Sequence, residues 1–149
     1  MAFVNLPDTN VWIALTLSKH QFHSAARDWF ATQRGAASML FCRATQQSFL
    51  RLLTTTNLMR LYGLPPMTNV QAWDVYERLM ADARITWAAE PDGIEERWKS
   101  LASRGAASPK IWMDAYLAAF AITGAHWLVT TDAAFKQFEQ LNAVFLYKR

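Results

Sequence analysis

The chain has 149 residues and a mass of 17.0 kDa, which suits one domain with a sizeable core and is too short for two ordinary domains. A hydrophobic share of 52% and a charged share of 18% exclude a disordered chain. Lys and Arg total 15 against 12 for Asp and Glu, and the resulting net charge of +3 permits an anionic partner without demanding one. We therefore expect a single domain over residues 1–149.

The single cysteine and the N-terminal segment bear on the compartment. Cys42 alone excludes an intramolecular disulfide framework and a cysteine-rich zinc site, and it favours a reducing compartment. The N-terminal segment lacks a basic region and reaches Asp8 before a signal-peptide core can form. The longest uncharged run, Ala115–Thr131, is short for a membrane span and is interrupted by Gly124 and His126. These features predict a soluble, cytoplasmic protein without a membrane segment.

Hydrophobic periodicity and turn residues predict alternating strands and helices. In chain order, these are a strand at Ala2–Leu6, helices at Val11–Leu17 and Phe22–Phe30, a strand at Ser38–Cys42, a helix at Ala44–Leu53, a helix from an N-cap at Thr68 to about Ala83, a strand at Ile85–Ala88, a helix at Ile94–Ser103, a helix opened by Ser108 and Pro109 and running to Ile122, a strand at His126–Thr130, a short helix at Phe135–Gln140 and a strand at Ala143–Leu146. Strands separated by helices predict an α/β domain with a mainly parallel sheet covered on both faces.

Two acids follow predicted strands: Asp8 after the first strand and Asp132 after the fourth. In an open parallel sheet, ligands bind beyond the carboxyl ends of the strands, so both acids are candidates for a functional site. Each acid also precedes a predicted helix, where Asp, Asn and Thr are preferred N-caps. The sequence leaves both interpretations open at these two positions.

Asp114 is harder to explain as a structural residue. It is the only charged residue between Lys110 and Asp132, and at helical spacing it shares a side with the apolar Leu117 and Ala118. A carboxylate buried there without a partner is destabilising. Lys110 lies one turn earlier, but a cation N-terminal to its acid is the weaker orientation for such a pair. A bound cation or a helix N-terminus would compensate Asp114 better.

Three carboxylates that converge in one cleft repel one another, and a hard divalent cation relieves that repulsion. Mg²⁺ and Mn²⁺ accept carboxylate and water ligands and keep open positions for phosphate. Such an ion activates water and stabilises the charge on the leaving oxygen of a phosphodiester. If Asp8, Asp114 and Asp132 converge, the sequence predicts metal-dependent hydrolysis without a protein nucleophile.

At these residues the chain resembles a PIN-domain ribonuclease, specifically a VapC-type toxin of bacterial toxin–antitoxin pairs. The matching segments span nearly the whole chain and are Leu6–Val11, the region of His20, His23 and Trp29, Phe49–Thr54, Trp112–Ala119 and Thr130–Phe135. Their order, spacing and position at predicted strand ends make the set specific. The resemblance implies a three-layer α/β/α domain with a central, mainly parallel sheet.

The resemblance also implies an activity and its partners. It implies an endoribonuclease that depends on Mg²⁺ or Mn²⁺, with tRNA or rRNA as the suggested substrate. It further implies a homodimer and a cognate small antitoxin whose C-terminal tail occupies the acidic cleft. By matched position, Asp8, Asp114 and Asp132 are the implied catalytic metal ligands. Asn10 and Thr131 are the implied polar residues that support the metal or its waters.

The chain departs from the family pattern at one position. The family usually has a Glu on the helix after the second strand, whereas this chain has Gln46–Ser48 there and no acid anywhere in Trp29–Trp73. We expect Ser48, or Gln47 if the register differs by one residue, to hold a metal-bound water through a neutral hydrogen bond. Weaker affinity for a second metal ion follows as a hypothesis.

The same acid-free stretch is basic. Arg51 is the first candidate for contact with an RNA backbone or an acidic antitoxin tail, followed by Arg43 in the same stretch. Lys110, outside this stretch, is a further candidate for contact with phosphate. Ordinary solvated side chains are the alternative explanation for these three cations.

Two other functions are compatible with parts of the sequence. A PIN-like module that is catalytically weak without its fourth acid would act by binding RNA or an antitoxin. A phosphatase that uses Asp8 as nucleophile would need a second acid two residues later, where this chain has Asn10. The metal-dependent endoribonuclease is therefore the leading prediction.

Overall fold

The computed structural model of the chain describes residues 3–149. Ala2, at the start of the first predicted strand, lies outside the described residues. Five short strands form the central sheet: β1 (Asn5–Pro7), β2 (Met39–Phe41), β3 (Ile85–Trp87), β4 (Trp127–Thr130) and β5 (Ala143–Phe145). All neighbouring pairs are parallel, in the order β3-β2-β1-β4-β5. The predicted parallel sheet is confirmed, with strand ends that differ from the prediction by at most three residues.

The helices fall between the strands, as expected for a parallel sheet. They are α1 (Thr9–Thr16), α2 (His23–Thr32), α3 (Arg43–Leu53), α4 (Thr56–Leu61), α5 (Asn69–Met80), α6 (Ile94–Ala102) and α7 (Ile111–Thr123), followed by a 3-10 helix at Ala133–Gln137. The α4 helix is absent from the sequence prediction. Within residues 3–149, none of these helices has the length and apolar character needed to cross a bilayer.

Helices cover both faces of the sheet. On one face, Trp12 of α1 stacks on Phe41 of β2 with ring centroids 4.1 Å apart, and Phe49 of α3 packs against the same ring. On the other face, Leu6 and Leu128 pack under α6 and α7. Side chains alternate between the faces along a strand, so β2 supplies Met39 and Phe41 to one core and Leu40 to the other. This arrangement confirms the three-layer α/β/α architecture.

The switch point of the sheet lies between β1 and β4. Strands β2 and β3 extend from β1 in one direction, whereas β4 and β5 extend in the other. Pro7 is in register with Val129, and the Asp8 N–H donates to the Val129 carbonyl at 2.9 Å. The carboxyl ends of β1 and β4 are therefore level, and ligands of open α/β sheets bind in the crevice at such a point.

Two predicted N-caps have different outcomes. Thr68 caps α5 as predicted: its hydroxyl accepts the Gln71 N–H at 3.1 Å, and the Gln71 side chain accepts the Thr68 N–H at 2.9 Å. The prediction of Ser108 as a cap is wrong, because its hydroxyl donates to the Ala106 carbonyl at 3.2 Å. The α7 helix begins only at Ile111, after a turn in which the Ile111 N–H donates to the Ser108 carbonyl.

Leu128 tests the placement of the core between the sheet and α7, because its side chain is 0% exposed. We expect Leu128→Ala to lower the free energy of unfolding by about 2–5 kcal/mol, since it removes buried methyl groups and leaves a cavity. Urea denaturation measures the loss. The control is Val70→Ala on α5, where the side chain is 80% exposed and the change should stay within about 0.5 kcal/mol. Equal losses of unfolding free energy in the two variants would contradict this placement of the core.

Candidate active site

Asp8 lies directly after β1 and is almost completely buried, with 4% of its surface exposed. It is the N-cap of α1, and its Oδ1 accepts the Val11 N–H at 3.3 Å. Its Oδ2 accepts the hydroxyl hydrogen of Thr130, at the end of β4. The capping role that the sequence allowed is therefore confirmed, and the same carboxylate lies at the switch point of the sheet.

Burial raises the pKa of Asp8 from its ordinary value of 3.8 to about 6. Loss of hydration is the largest cause, because it disfavours the charged carboxylate. Hydrogen bonds from Thr130, Val11 and Asn10 act in the opposite direction, and the negative charge of Asp132 raises the pKa further. A buried acid with a raised pKa at a ligand-binding edge is a candidate for a functional residue.

Thr130 connects Asp8 to Asp132. Its hydroxyl donates to Asp8 and accepts the backbone N–H of Asp132 at 3.0 Å. Asp132 is exposed and caps the 3-10 helix, with its Oδ1 accepting the Ala134 N–H at 2.9 Å. Sequence reasoning chose the next residue, Thr131, which is half-buried, and missed Thr130. The only sequence signal for Thr130 is a polar residue at the carboxyl end of an apolar strand.

Asp114 lies in the first turn of α7 and is half-buried. Together with Asp132 it lines a cavity of about 600 Å³. Burial raises the pKa of Asp114, and the negative charge of Asp132 adds to that effect. Lys110 lines the same cavity, but within residues 3–149 it forms no ion pair with Asp114. Asp114 therefore lacks a cationic partner in the described chain, and its place in the first turn of α7 supplies the helix N-terminus as a structural compensation.

The negative charge of Asp132 raises the pKa of both Asp8 and Asp114, in each case less than burial does. No three His, Cys, Asp or Glu side chains of residues 3–149 are arranged to hold a metal ion as they stand. The donor chemistry nevertheless fits Mg²⁺, which keeps several waters and binds through one or two carboxylates rather than a protein cage. Convergence of all three acids on one ion stays a prediction.

The predicted supporting residues differ in their surroundings. Asn10 is exposed in the first turn of α1, Gln47 is exposed and Ser48 is half-buried. The buried residue of the Gln46–Ser48 segment is Gln46, which sequence reasoning did not select. Its side-chain oxygen accepts a hydrogen bond from the Arg43 Nη1 at 2.5 Å. Both residues lie in the first turn of α3, directly after β2. A neutral amide paired with an arginine therefore lies near the usual position of the fourth acid.

The three predicted cations lie in different places. Lys110 lines the cavity of the acids. Arg43 lies over the Trp87 ring, 4.7 Å from its centroid. Arg51 lines a separate groove of about 250 Å³ with Trp73. Arg104, which sequence reasoning missed, also lines the cavity of the acids.

A scan against protein-family descriptions matches residues 6–141 to the PIN domain. Two curated relatives, each named Ribonuclease VapC41 and from Mycobacterium tuberculosis strains CDC 1551 / Oshkosh and H37Rv, are 51% identical over 144 residues. The alignment covers 96% of this chain and 99% of each relative. The chain belongs to the PIN domain family.

Solved structures share the fold at low sequence identity. VapBC2 from Rickettsia felis, solved bound to a DNA fragment, matches with a TM-score of 0.66 and 11% identity, over 97% of this chain and 99% of that one. VapBC-1 from nontypeable Haemophilus influenzae matches with a TM-score of 0.63 and 15% identity, over 95% and 97%. The α/β fold predicted from the sequence is the fold of these proteins.

The raised pKa of Asp8 predicts how its contribution to stability depends on pH. The folded chain holds the Asp8 proton more tightly than the unfolded chain, so this stabilisation is full below pH 3.8 and is lost as the pH rises through about 6. A pKa shift of this size corresponds to a change of about 3 kcal/mol in the free energy of unfolding.

We therefore expect the unfolding free energy of the wild type, relative to Asp8→Asn in EDTA, to fall by up to about 3 kcal/mol between a pH below 3.8 and neutral pH. Urea titrations at several pH values measure this difference. Val70→Ala, at an exposed position on α5, removes no titratable group and should give no such trend. A wild-type advantage that grew with pH would contradict the effect of burial on Asp8.

Proposed function

We propose that this chain is a divalent-metal-dependent endoribonuclease, the toxin of a type II toxin–antitoxin pair. The observations that carry the proposal are the hydrogen bonds that link Asp8 through Thr130 to Asp132 at the switch point, and the cavity that Asp132 lines together with Asp114. Membership of the PIN domain family and the curated relative named Ribonuclease VapC41, at 51% identity, support RNA as the substrate.

Each acid has a distinct environment and therefore a distinct part in the proposed site. Asp114 and Asp132 line the cavity and would hold Mg²⁺ or Mn²⁺ directly or through its waters. Asp8 is fixed by Thr130 and Val11, so its carboxylate keeps one orientation without a bound ion. When bound, the ion would supply Lewis-acid activation of water and of the phosphodiester.

The proposed partners follow from the family. The similar solved structures are VapBC complexes, which supports a small cognate antitoxin for this chain. We propose tRNA or rRNA as the substrate class and a homodimer as the assembly, both on the family resemblance. The single buried Cys42 agrees with the reducing conditions of the cytoplasm, where we place the activity.

One observation favours the second candidate function, a catalytically weak module that binds RNA or an antitoxin. The Gln46–Ser48 segment offers no acid, and residues 3–149 contain no closed set of three metal ligands. Such a module would bind RNA without cleaving it in Mn²⁺. Cleavage assays on total RNA, with and without Mn²⁺, separate the two candidates.

We expect Asp114→Asn to abolish Mn²⁺-dependent RNA cleavage, because it removes a negative oxygen donor from the cavity. The fold should be retained, since the side chain is only half-buried and forms no ion pair within the described chain. Cleavage of total RNA and the thermal shift caused by Mn²⁺ are the two measurements, and both should be lost. Asp74→Asn is the matched control and should retain both. Cleavage that persists in Asp114→Asn or in excess EDTA would refute the metal-dependent site.

The missing fourth acid predicts weaker binding of a second metal ion. We expect Ser48→Glu to raise the affinity or the stoichiometry of Mn²⁺ binding, because it restores a carboxylate to α3. Calorimetric titration of the wild type and the variant measures both quantities. Gln47→Glu tests the register shifted by one residue. Affinity and stoichiometry equal to the wild type in both variants would refute the idea that the absent acid limits metal binding.

A further inference from the structure

The cavity of the acids contains two cations as well as two carboxylates. Arg104 and Lys110 belong to the segment between α6 and α7, and both line the cavity together with Asp114 and Asp132. Both cations are exposed, and in the described part of the chain neither forms an ion pair with a carboxylate. Two unpaired cations beside two acids are available to an anionic ligand.

Arg104 is held in a defined position. Its Nη2 donates to the Gln137 Oε1 at 2.7 Å. Gln137 in turn donates from Nε2 to the Ala134 carbonyl at 2.9 Å. Gln137 and Ala134 belong to the 3-10 helix that Asp132 caps. The Arg104 guanidinium is therefore held against the helix whose N-cap is Asp132.

This combination of groups suits a phosphodiester backbone. The remaining N–H donors of Arg104 can bind phosphate oxygens in a fork, and Lys110 adds a compact positive charge. Carboxylates alone would repel the backbone of RNA, and cations in the same cavity offset that repulsion. Contacts to phosphate position a nucleic acid without reading its sequence.

We propose that Arg104 and Lys110 bind a phosphate of the RNA strand adjacent to the phosphodiester at the acids, and that Gln137 positions Arg104. This proposal rests on the proposed function, because it assumes that RNA enters the cavity. The phosphate contact contributes to RNA binding independently of base sequence. The proposal assigns a binding role to Arg104 and a positioning role to Gln137.

The chain contains a matched control for Arg104. Arg97 on α6 donates from Nη1 to the Gln140 Oε1 at 2.5 Å, so it forms the same kind of arginine–glutamine pair. It lines a different cavity, with Asp92 and Glu96. Replacing Arg97 by Gln changes the net charge by the same amount as replacing Arg104 by Gln, but at a site away from the three acids.

The test measures binding of a fluorescent single-stranded RNA by anisotropy in EDTA, over a series of salt concentrations. Arg104→Gln should weaken binding roughly two- to fivefold, as expected for an exposed charge contact. The slope of log K against log salt should shrink by about 0.7, because one phosphate contact is lost on a single strand. Arg97→Gln should match the wild type in both respects.

Gln137→Ala tests positioning separately, because it removes no charge. The salt slope should fall in this variant only if Arg104 is displaced from the phosphate, whereas a purely structural role of Gln137 would lower thermal stability and leave the slope unchanged.

In Mn²⁺, Arg104→Gln should raise KM in proportion to the loss of binding and leave kcat within about twofold, since a phosphate contact made equally in ground and transition states changes only KM.

The outcomes distinguish this proposal from the proposed function. A wild type that binds RNA but does not cleave it in Mn²⁺ refutes the nuclease and leaves the binding test in EDTA valid. Equal losses in Arg104→Gln and Arg97→Gln, or an unchanged salt slope in Arg104→Gln, refute the phosphate contact. Unchanged RNA binding with weakened binding of an acidic peptide would assign the cations to a protein partner, and would also refute it.

Discussion

The carboxylate of Asp8 is held between two adjacent parallel strands, and the rest of the candidate site depends on that placement. Its oxygens accept the Val11 N–H at the start of α1 and the Thr130 hydroxyl at the end of β4. The same hydroxyl accepts the backbone N–H of Asp132, so one threonine sets the relation between two acids. Burial raises the pKa of Asp8 to about 6, because the folded chain disfavours the ionised form of this carboxyl group. Ionisable groups with strongly shifted pKa values are concentrated at functional sites.

The sequence was sufficient for the sheet and for the placement of Asp8 and Asp132 at its edge, because both depend on local signals. Short apolar segments bounded by turn residues predict strands, and a parallel sheet places the ends of β1 and β4 at one edge. Asp8 and Asp132 could therefore be assigned to that edge without coordinates. Local signals were insufficient where two conformations compete. Ser108 followed by Pro109 resembles a helix start, but a turn absorbs both residues and α7 begins at Ile111. The six-residue α4 is too short to give a periodic pattern.

The residues that sequence reasoning missed are those defined by contacts between distant segments. Thr130 and Asp8 are 122 residues apart, and Arg104 and Gln137 are 33 residues apart. No spacing rule within a helix or strand links such pairs, so their roles become visible only once the chain is folded. Gln46 was passed over for a related reason. Its burial depends on how α3 packs beside β2, and the sequence of Gln46–Ser48 does not indicate which side chain turns inward.

The charge balance of the site connects the missing acid to the unpaired cations. A fourth carboxylate on α3 would lie close to Arg43, which here donates to the neutral Gln46. No such carboxylate is present, so this edge of the sheet carries less negative charge. In addition, Arg104 and Lys110 line the cavity of the acids without an ion pair in the described chain. Less negative charge weakens the hold on divalent cations and at the same time reduces repulsion of an RNA backbone. The two effects act on different ligands, so under the proposed function the same charge balance would lower the affinity for a second metal ion and ease the entry of a polyanion.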